Sequence, residues 1–513
     1  MLARALSFGI SGLEAYPVTI EADVSKGLPS FTIVGLPDNS IRESKERVRS
    51  AIRNSGLTFP QGRITVNLAP ADTKKEGPAF DLAIALGILA ASEQVPAEAL
   101  WRYPVLGELS LGGAVKPVAG SFCASLAAAN FPAGSLEALI VPEANAAESA
   151  LAEKLQVLPI KNLSEAANFL QSRNNAPPFF TSSKESIKTT PSTSWLDFED
   201  VKGQGHVKRG LEIAAAGEHN VLLIGAPGSG KTMLAQRFPG ILPPMTRKES
   251  QEITRIHSIL GLVQAAEGLI SERPFRSPHH TASNISLVGG GTDPKPGEIT
   301  LAHNGVLFLD ELPEFSRGAI EGLRQPLEEH FVTVARASRT LRFPARFLLL
   351  AAMNPCPCGF LGDRTKPCRC SSTEVRRYFN RISGPLLDRI DIHLEVPALK
   401  SSELMNNTRA ENSDSIRTRV IKTRERQTER FKDTPVVSNA RMPSQMVKKH
   451  CALNKKCRAL LMDAIEGLGL SARGHDKVLK VARTISDMAG CEEIRPEHLA
   501  EAIGYRCLDR TNA

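Results

Sequence analysis

At 513 residues, with 42% hydrophobic and 23% charged side chains, the chain has the composition of a globular protein large enough for two or three cores. It has no run of about 18 apolar residues and no signal-peptide core after Met1, so neither a membrane span nor export is expected, and the cytoplasm is the expected location. The net charge of +8 suits a polyanionic partner, and nine cysteines without an export signal point to thiols or metal rather than disulfides.

Residues 1–170 mix short strands, at 31–34 and 64–68, with helices at 41–54 and 80–92; the second helix is almost wholly apolar and expected to be buried. Residues 171–194 are rich in Ser, Thr, Asn and Pro and read as a flexible linker. Across 195–398 strand and helix alternate as in an α/β fold with a parallel sheet, with apolar strands expected at 221–224, 306–309 and 347–352. Residues 399–513 turn polar and charged, with a second low-order stretch at 401–415, and are then helical.

The strand at 221–224 runs directly into Gly225-Ala226-Pro227-Gly228-Ser229-Gly230-Lys231-Thr232, a complete P-loop followed by a helix. Its glycines let backbone N–H groups and the helix N-terminus face phosphates. Lys231 then reaches the β/γ-phosphates of ATP, and the Thr232 hydroxyl is a Mg²⁺ ligand. The strand at 306–309 ends in Asp310-Glu311, a Walker B pattern, with Asp310 on Mg²⁺ and Glu311 orienting the attacking water. Asn354 closes the third strand and is placed to contact the γ-phosphate or the lytic water, or else to form a turn before Pro355. Arg389 is a candidate arginine finger acting on a neighbouring subunit's nucleotide; Arg381 competes, and a surface ion pair is the alternative.

Cys356, Cys358, Cys368 and Cys370 lie on one Gly/Pro-rich loop and suit tetrahedral Zn²⁺, although the C-x-C spacing is less usual than C-x-x-C and ordinary thiols or a redox pair remain alternatives. Residues 331–343 alternate as a β-hairpin whose Arg336, Arg339 and Arg342 suit DNA phosphates; a solvated edge hairpin is the alternative. The basic run at 416–432 reads as a solvated helix face or a second DNA contact, and His279 and His280 as packing residues or contacts to nucleotide or DNA.

Asp197-Phe198-Glu199-Asp200-Val201-Lys202-Gly203-Gln204, the P-loop, Arg276-Ser277-Pro278-His279-His280, Gly289-Gly290-Gly291, 301–312, and Asn354-Pro355-Cys356-Pro357-Cys358-Gly359 resemble the magnesium-chelatase-like AAA+ ATPases, and within them the bacterial ComM/YifB group. The resemblance spans nearly the whole chain. It implies an α+β front domain like that of Lon proteases (ribosomal S5 domain 2-like), an AAA+ core at 195–398 and a helical lid at 399–513. Asn354 then corresponds to sensor 1, Arg389 to the finger, and Arg473 to the sensor 2 arginine, ahead of Arg483. It further implies a homo-hexameric ring acting on single-stranded and branched DNA, alongside recombination proteins, as a branch-migration helicase in natural transformation. Where Lon peptidases place their serine this chain has Ala79, and where they place their lysine it has Ser121 to Ala124, so the front domain is expected to be a scaffold without peptidase activity. Competing expectations are a chelatase-like remodeller of a protein partner and a nucleotide-gated binding platform.

Overall fold

The computed structural model describes residues 1–172, 179–180, 196–263, 268–291, 294–336, 339–363, 366–398, 410–468, 471–506 and 508, without the side chains of 336, 339, 468 and 472. The expected linker, Trp195, most of the stretch 401–415, and Cys507 fall outside them. Two compact units emerge, and they are not consecutive in the chain: Met1–Thr189 with Thr246–Ser271, and Thr190–Met245 with Glu272–Ala513.

The front unit opens with a hairpin absent from the expected elements: β1 (Leu2–Ser11) and β2 (Glu14–Ser25), reversed at Gly12 with φ 61°. With β3 (Ser30–Val34) and β4 (Arg63–Ala69) it forms a sheet ordered β1-β2-β4-β3, antiparallel except for the β3–β4 pair. A parallel pair needs a crossover, supplied by α1 (Asn39–Asn54). Asp38 caps α1 by accepting from Ile41 N at 2.8 Å, and Ile41, Ser44, Val48, Ala51 and Ile52 make its buried stripe. Every residue of α2 (Asp81–Ala91) is buried, as its composition demands, and it packs on β1 and β2. Asp81 is buried at its N-terminus, where Ser44 donates to it and Arg47 pairs with it at 2.7 Å.

The segment Thr246–Ser271, which the sequence places in the core domain, completes this front unit. Its helix Arg247–Ile259 starts with a capping box between Thr246 and Glu249. Ser250, Ile253, Thr254, Ile256 and Ser258 form its buried side, it packs on the helix Ser121–Ala129, and Leu269 joins Phe122 and Leu151 in a small core.

The P-loop unit is built on a five-stranded parallel sheet of β5 (Val221–Ile224), β6 (Phe275–Arg276), β7 (Val306–Leu309), β10 (Leu348–Met353) and β11 (Ile392–Glu395), ordered β6-β7-β10-β5-β11. β5, β7 and β10 are buried along their whole length, as strands covered by helices on both faces must be. Between β7 and β10 stands the hairpin β8 (Phe331–Arg336) and β9 (Arg339–Pro344). Helix α3 (Gly205–Gly217) and the P-loop helix α4 (Lys231–Arg237) flank the sheet.

Helices Ser413–Arg430, Ser444–His450, Lys455–Leu468, Ala472–Met488 and Pro496–Gly504 follow, and share one apolar core with the sheet. The helix Ser413–Arg430 is not the free basic face its composition suggests. Arg419 binds Glu212 and Glu411, Arg424 binds Glu218 at 3.1 Å, and Arg430 binds Asp487. Glu218 also takes Arg346 from the sheet side and Arg441 from the helical region, at 2.9 and 3.3 Å. Burial alone would raise this carboxyl; the three guanidiniums pull it well below the ordinary carboxylate range. Among the described residues, no helix is long and apolar enough to cross a membrane.

Candidate active site

The P-loop is shaped by backbone positions that only glycine fills. A Cβ at Gly225 would stand 2.3 Å from the Val396 carbonyl oxygen, and Gly228 and Gly230 have φ of 77° and 93°. The Lys231 ammonium donates to the carbonyls of Gly225 (2.7 Å) and Ala226 (3.1 Å) and to Asn354 Oδ1 (3.1 Å). Burial lowers its pKa while Asp310 and Glu311 oppose that shift. The Ser229 hydroxyl oxygen is buried beneath the loop without a protein partner, and the Gln204 amide clasps the loop's outside, donating to Ser229 O at 2.7 Å and to Pro397 O at 3.2 Å.

The strand order explains how these groups meet. β10 lies between β5 and β7, so Asn354, the residue just after its C-terminus, sits between the P-loop and the end of the Walker B strand. On the far side the Thr232 hydroxyl donates to Asp310 Oδ2 at 2.7 Å, which brings together the two side chains expected to hold Mg²⁺. A hydroxyl oxygen beside a carboxylate is a hard-oxygen donor set of the kind Mg²⁺ prefers. Glu311 follows in the left-handed region, φ 53°, and its carboxylate meets His280 Nδ1 at 3.2 Å.

His280 was given no definite role by the sequence. The signal lies in register: Arg276 of β6 pairs with Leu307 of β7, and four residues beyond each stand His280 and Glu311. Finding that pair requires the strand order first.

The four cysteines come together as expected. Their sulfurs lie within 4.8 Å of one another, with Cys356–Cys358, Cys356–Cys368 and Cys358–Cys368 at 3.4, 3.7 and 3.6 Å. Four thiolates at ~2.3 Å from a tetrahedral Zn²⁺ stand about 3.8 Å apart, so the donor set fits. Backbone N–H groups of Arg369 and Phe360 aimed at Cys358 lower its thiol to about 6, whereas Cys368 and Cys370 are raised, burial and the neighbouring sulfurs outweighing their backbone hydrogen bonds.

Three family models match the chain: Magnesium chelatase, subunit ChlI, over 197–404; Subunit ChlI of Mg-chelatase over 20–145; and Magnesium chelatase, subunit ChlI C-terminal, over 410–506. The chain is 46% identical over 513 residues to Competence protein ComM of Haemophilus influenzae, covering 99% of this chain and 98% of that one. It belongs to the ComM/YifB family of magnesium-chelatase-like AAA+ proteins. YifB of Salmonella typhimurium is 44% identical, covering 97% of this chain and 96% of its own, and Lon protease 2 of Bacillus subtilis is 26% identical over 145 residues, 26% of each chain.

Within this AAA+ frame the remaining arginines take unequal places. Arg389, 8% exposed, pairs with Glu328 and donates to the Pro385 carbonyl; Arg473 approaches the same Glu328 at 3.7 Å. The structure thus joins the expected finger and sensor 2 residues to each other, and among the described contacts neither touches the P-loop, Asp310 or Glu311. Arg381 is half exposed and pairs with Glu314 at 2.8 Å. Arg483 is buried against Asp487 and the carbonyls of Cys491 and Glu492, which commits it to holding helices together. In the hairpin, Arg336 and Arg339 pair in backbone register, but their side chains lie outside the described residues. The Arg342 guanidinium lies 3.6 Å over the Phe331 ring, a cation–π contact that fixes its direction.

Proposed function

We propose that the chain is an ATP hydrolase that works as a hexameric ring and moves DNA, promoting branch migration during natural transformation. The observation that carries the ATPase reading is the convergence, at the carboxyl ends of the parallel strands, of Lys231 with Asn354, Thr232 with Asp310, and Glu311 with His280. The P-loop amides and Lys231 bind the β- and γ-phosphates of ATP. Thr232 and Asp310 would hold Mg²⁺, which when bound offsets phosphate charge. Glu311 orients water for in-line attack, His280 fixes the direction of the Glu311 carboxylate, and Asn354 fixes Lys231.

Ring assembly is supported by Arg389 and Arg473, which pair with Glu328 and, among the described contacts, not with the P-loop, Asp310 or Glu311 of their own chain, as residues serving a neighbouring subunit's nucleotide would. DNA as the track is supported by the basic hairpin, the net charge of +8 and the name of the Haemophilus relative. The four cysteines would hold a structural Zn²⁺, their sulfurs lying within 4.8 Å of one another. The front unit is a Lon-like scaffold in which Ala79 replaces a nucleophile.

The test is ATP turnover with and without single-stranded and branched DNA, beside junction migration, for the native chain and for Lys231→Ala and Glu311→Gln. Stimulation by DNA, six-subunit particles with nucleotide, and loss of migration in both variants are expected. A fully active monomer would overturn the ring, and turnover indifferent to DNA would favour a protein-directed remodeller.

A further inference from the structure

We propose that the four-cysteine loop is a metal-held wall of the P-loop, so that the ATP site is intact only while the loop carries Zn²⁺. This rests on reading the four thiols as a zinc centre, and adds what that centre does.

Two contacts tie the loop to the nucleotide cradle. Gly359 stands directly behind the P-loop: a Cβ there would lie 2.6 and 2.7 Å from Cδ and Cγ of Pro227. Gly359 is left-handed, φ 84°, and closes a tight turn by donating its N–H to the Cys356 carbonyl at 2.9 Å. The same turn carries Cys356 and Cys358, so the atoms that would grip the metal also set where Gly359 meets Pro227. Two residues before Cys356, Asn354 accepts from Lys231 Nζ. Pro227 and Lys231 are thus both addressed from one short stretch.

Metal is needed for that arrangement to persist. Thiols are weak hydrogen-bond donors, and converging thiolates repel one another. The apolar contacts of the loop are few: Cys356 is fully buried, while Phe360 is only partly buried and Leu361 is exposed. A Cys₄ site bound to Zn²⁺ supplies the missing cohesion, as it does in small domains that lack a sufficient core. Without it the Cys356–Gly359 turn is free to leave Pro227, and the loop amides lose the surface that holds them in register for phosphate.

The experiment uses the full chain as purified. Elemental analysis counts zinc, and binding of a fluorescent ATP analogue is titrated before chelation, after it, and after zinc is restored. About one zinc per chain is expected, with nucleotide affinity falling roughly tenfold or more on removal and returning on re-addition, a reversal that unfolding would not give. Gly359→Ala separates metal from contact: it keeps all four sulfurs and should keep zinc, yet should weaken nucleotide binding, and Pro227→Ala in the same chain should recover part of the loss. A chain that holds zinc but binds nucleotide equally well after chelation overturns the wall and leaves the zinc reading standing. A chain that binds nucleotide tightly and contains no zinc overturns both.

Discussion

Each unit of the molecule buries a lysine, and the two lysines differ chiefly in their company. Lys75 of the front unit is wholly buried and donates to the Pro70 carbonyl; Lys231 is 8% exposed and donates to Gly225, Ala226 and Asn354. Burial lowers the pKa of both. Around Lys231 stand glycine amides, a hydroxyl and two carboxylates at the ends of parallel strands. Around Lys75 stand the Pro70 carbonyl and the charge of Asp72. A perturbed lysine marks a buried environment, and chemistry begins only where groups of complementary role share it.

The largest effect expected from breaking this contrast is at Lys231. Lys231→Ala should cut ATP turnover by roughly 10²–10³-fold, the scale of losing one preorganised donor to transition-state charge. Lys75→Met should leave turnover within about twofold and show itself in thermal melting; a dead Lys75→Met enzyme that still melts normally would erase the distinction. Glu311→Gln should lower kcat by roughly 10²-fold while nucleotide binding, followed by fluorescence, is kept. His280→Ala should lower kcat by about tenfold with KM unchanged, since it touches the water-orienting carboxylate and not the phosphates; a change confined to KM would move His280 to the binding surface.

A smaller effect concerns buried histidines with no catalytic company. Burial, then Arg506, pushes His393 down to about 3, and burial lowers His219 also. Below about pH 6.5 the unfolded chain takes up protons that these folded-state imidazoles refuse, so stability falls as pH drops from 6.5 toward 3. At pH 5 His393 alone should cost about 2 kcal/mol, read as a lower Tm than at pH 7 and a flatter pH dependence in His393→Gln. The smallest effect is in the front unit: Ala79→Ser should produce no measurable peptide cleavage, because a hydroxyl without an activating base is not a nucleophile.

The features legible in the sequence are those written in consecutive residues. The P-loop, the Asp310-Glu311 strand end and the cysteine spacing each declare themselves within a few positions, and so does the wholly apolar α2. The β1–β2 hairpin was legible too, although it is not among the expected elements: Leu6, Phe8 and Ile10 alternate with Ser7, Gly9 and Ser11, and Val18, Ile20, Ala22 and Val24 with Thr19, Glu21, Asp23 and Ser25. His280 beside Glu311, the meeting of Arg389 and Arg473 at Glu328, and the Glu218 cluster depend on which strands and helices become neighbours. Strand order is set by packing over hundreds of residues, and a local pattern does not carry it.

Because the front unit takes its last helix from the middle of the chain, it cannot be exchanged as a leading block. A hybrid protein joined at the 171–194 stretch would retain the host's Ile253, Ile256 and Leu269 and ask them to fit a foreign surface. Successful chimeras must therefore transplant two pieces together, 1–172 and 246–271, and grafts that carry the first piece alone should express as insoluble material.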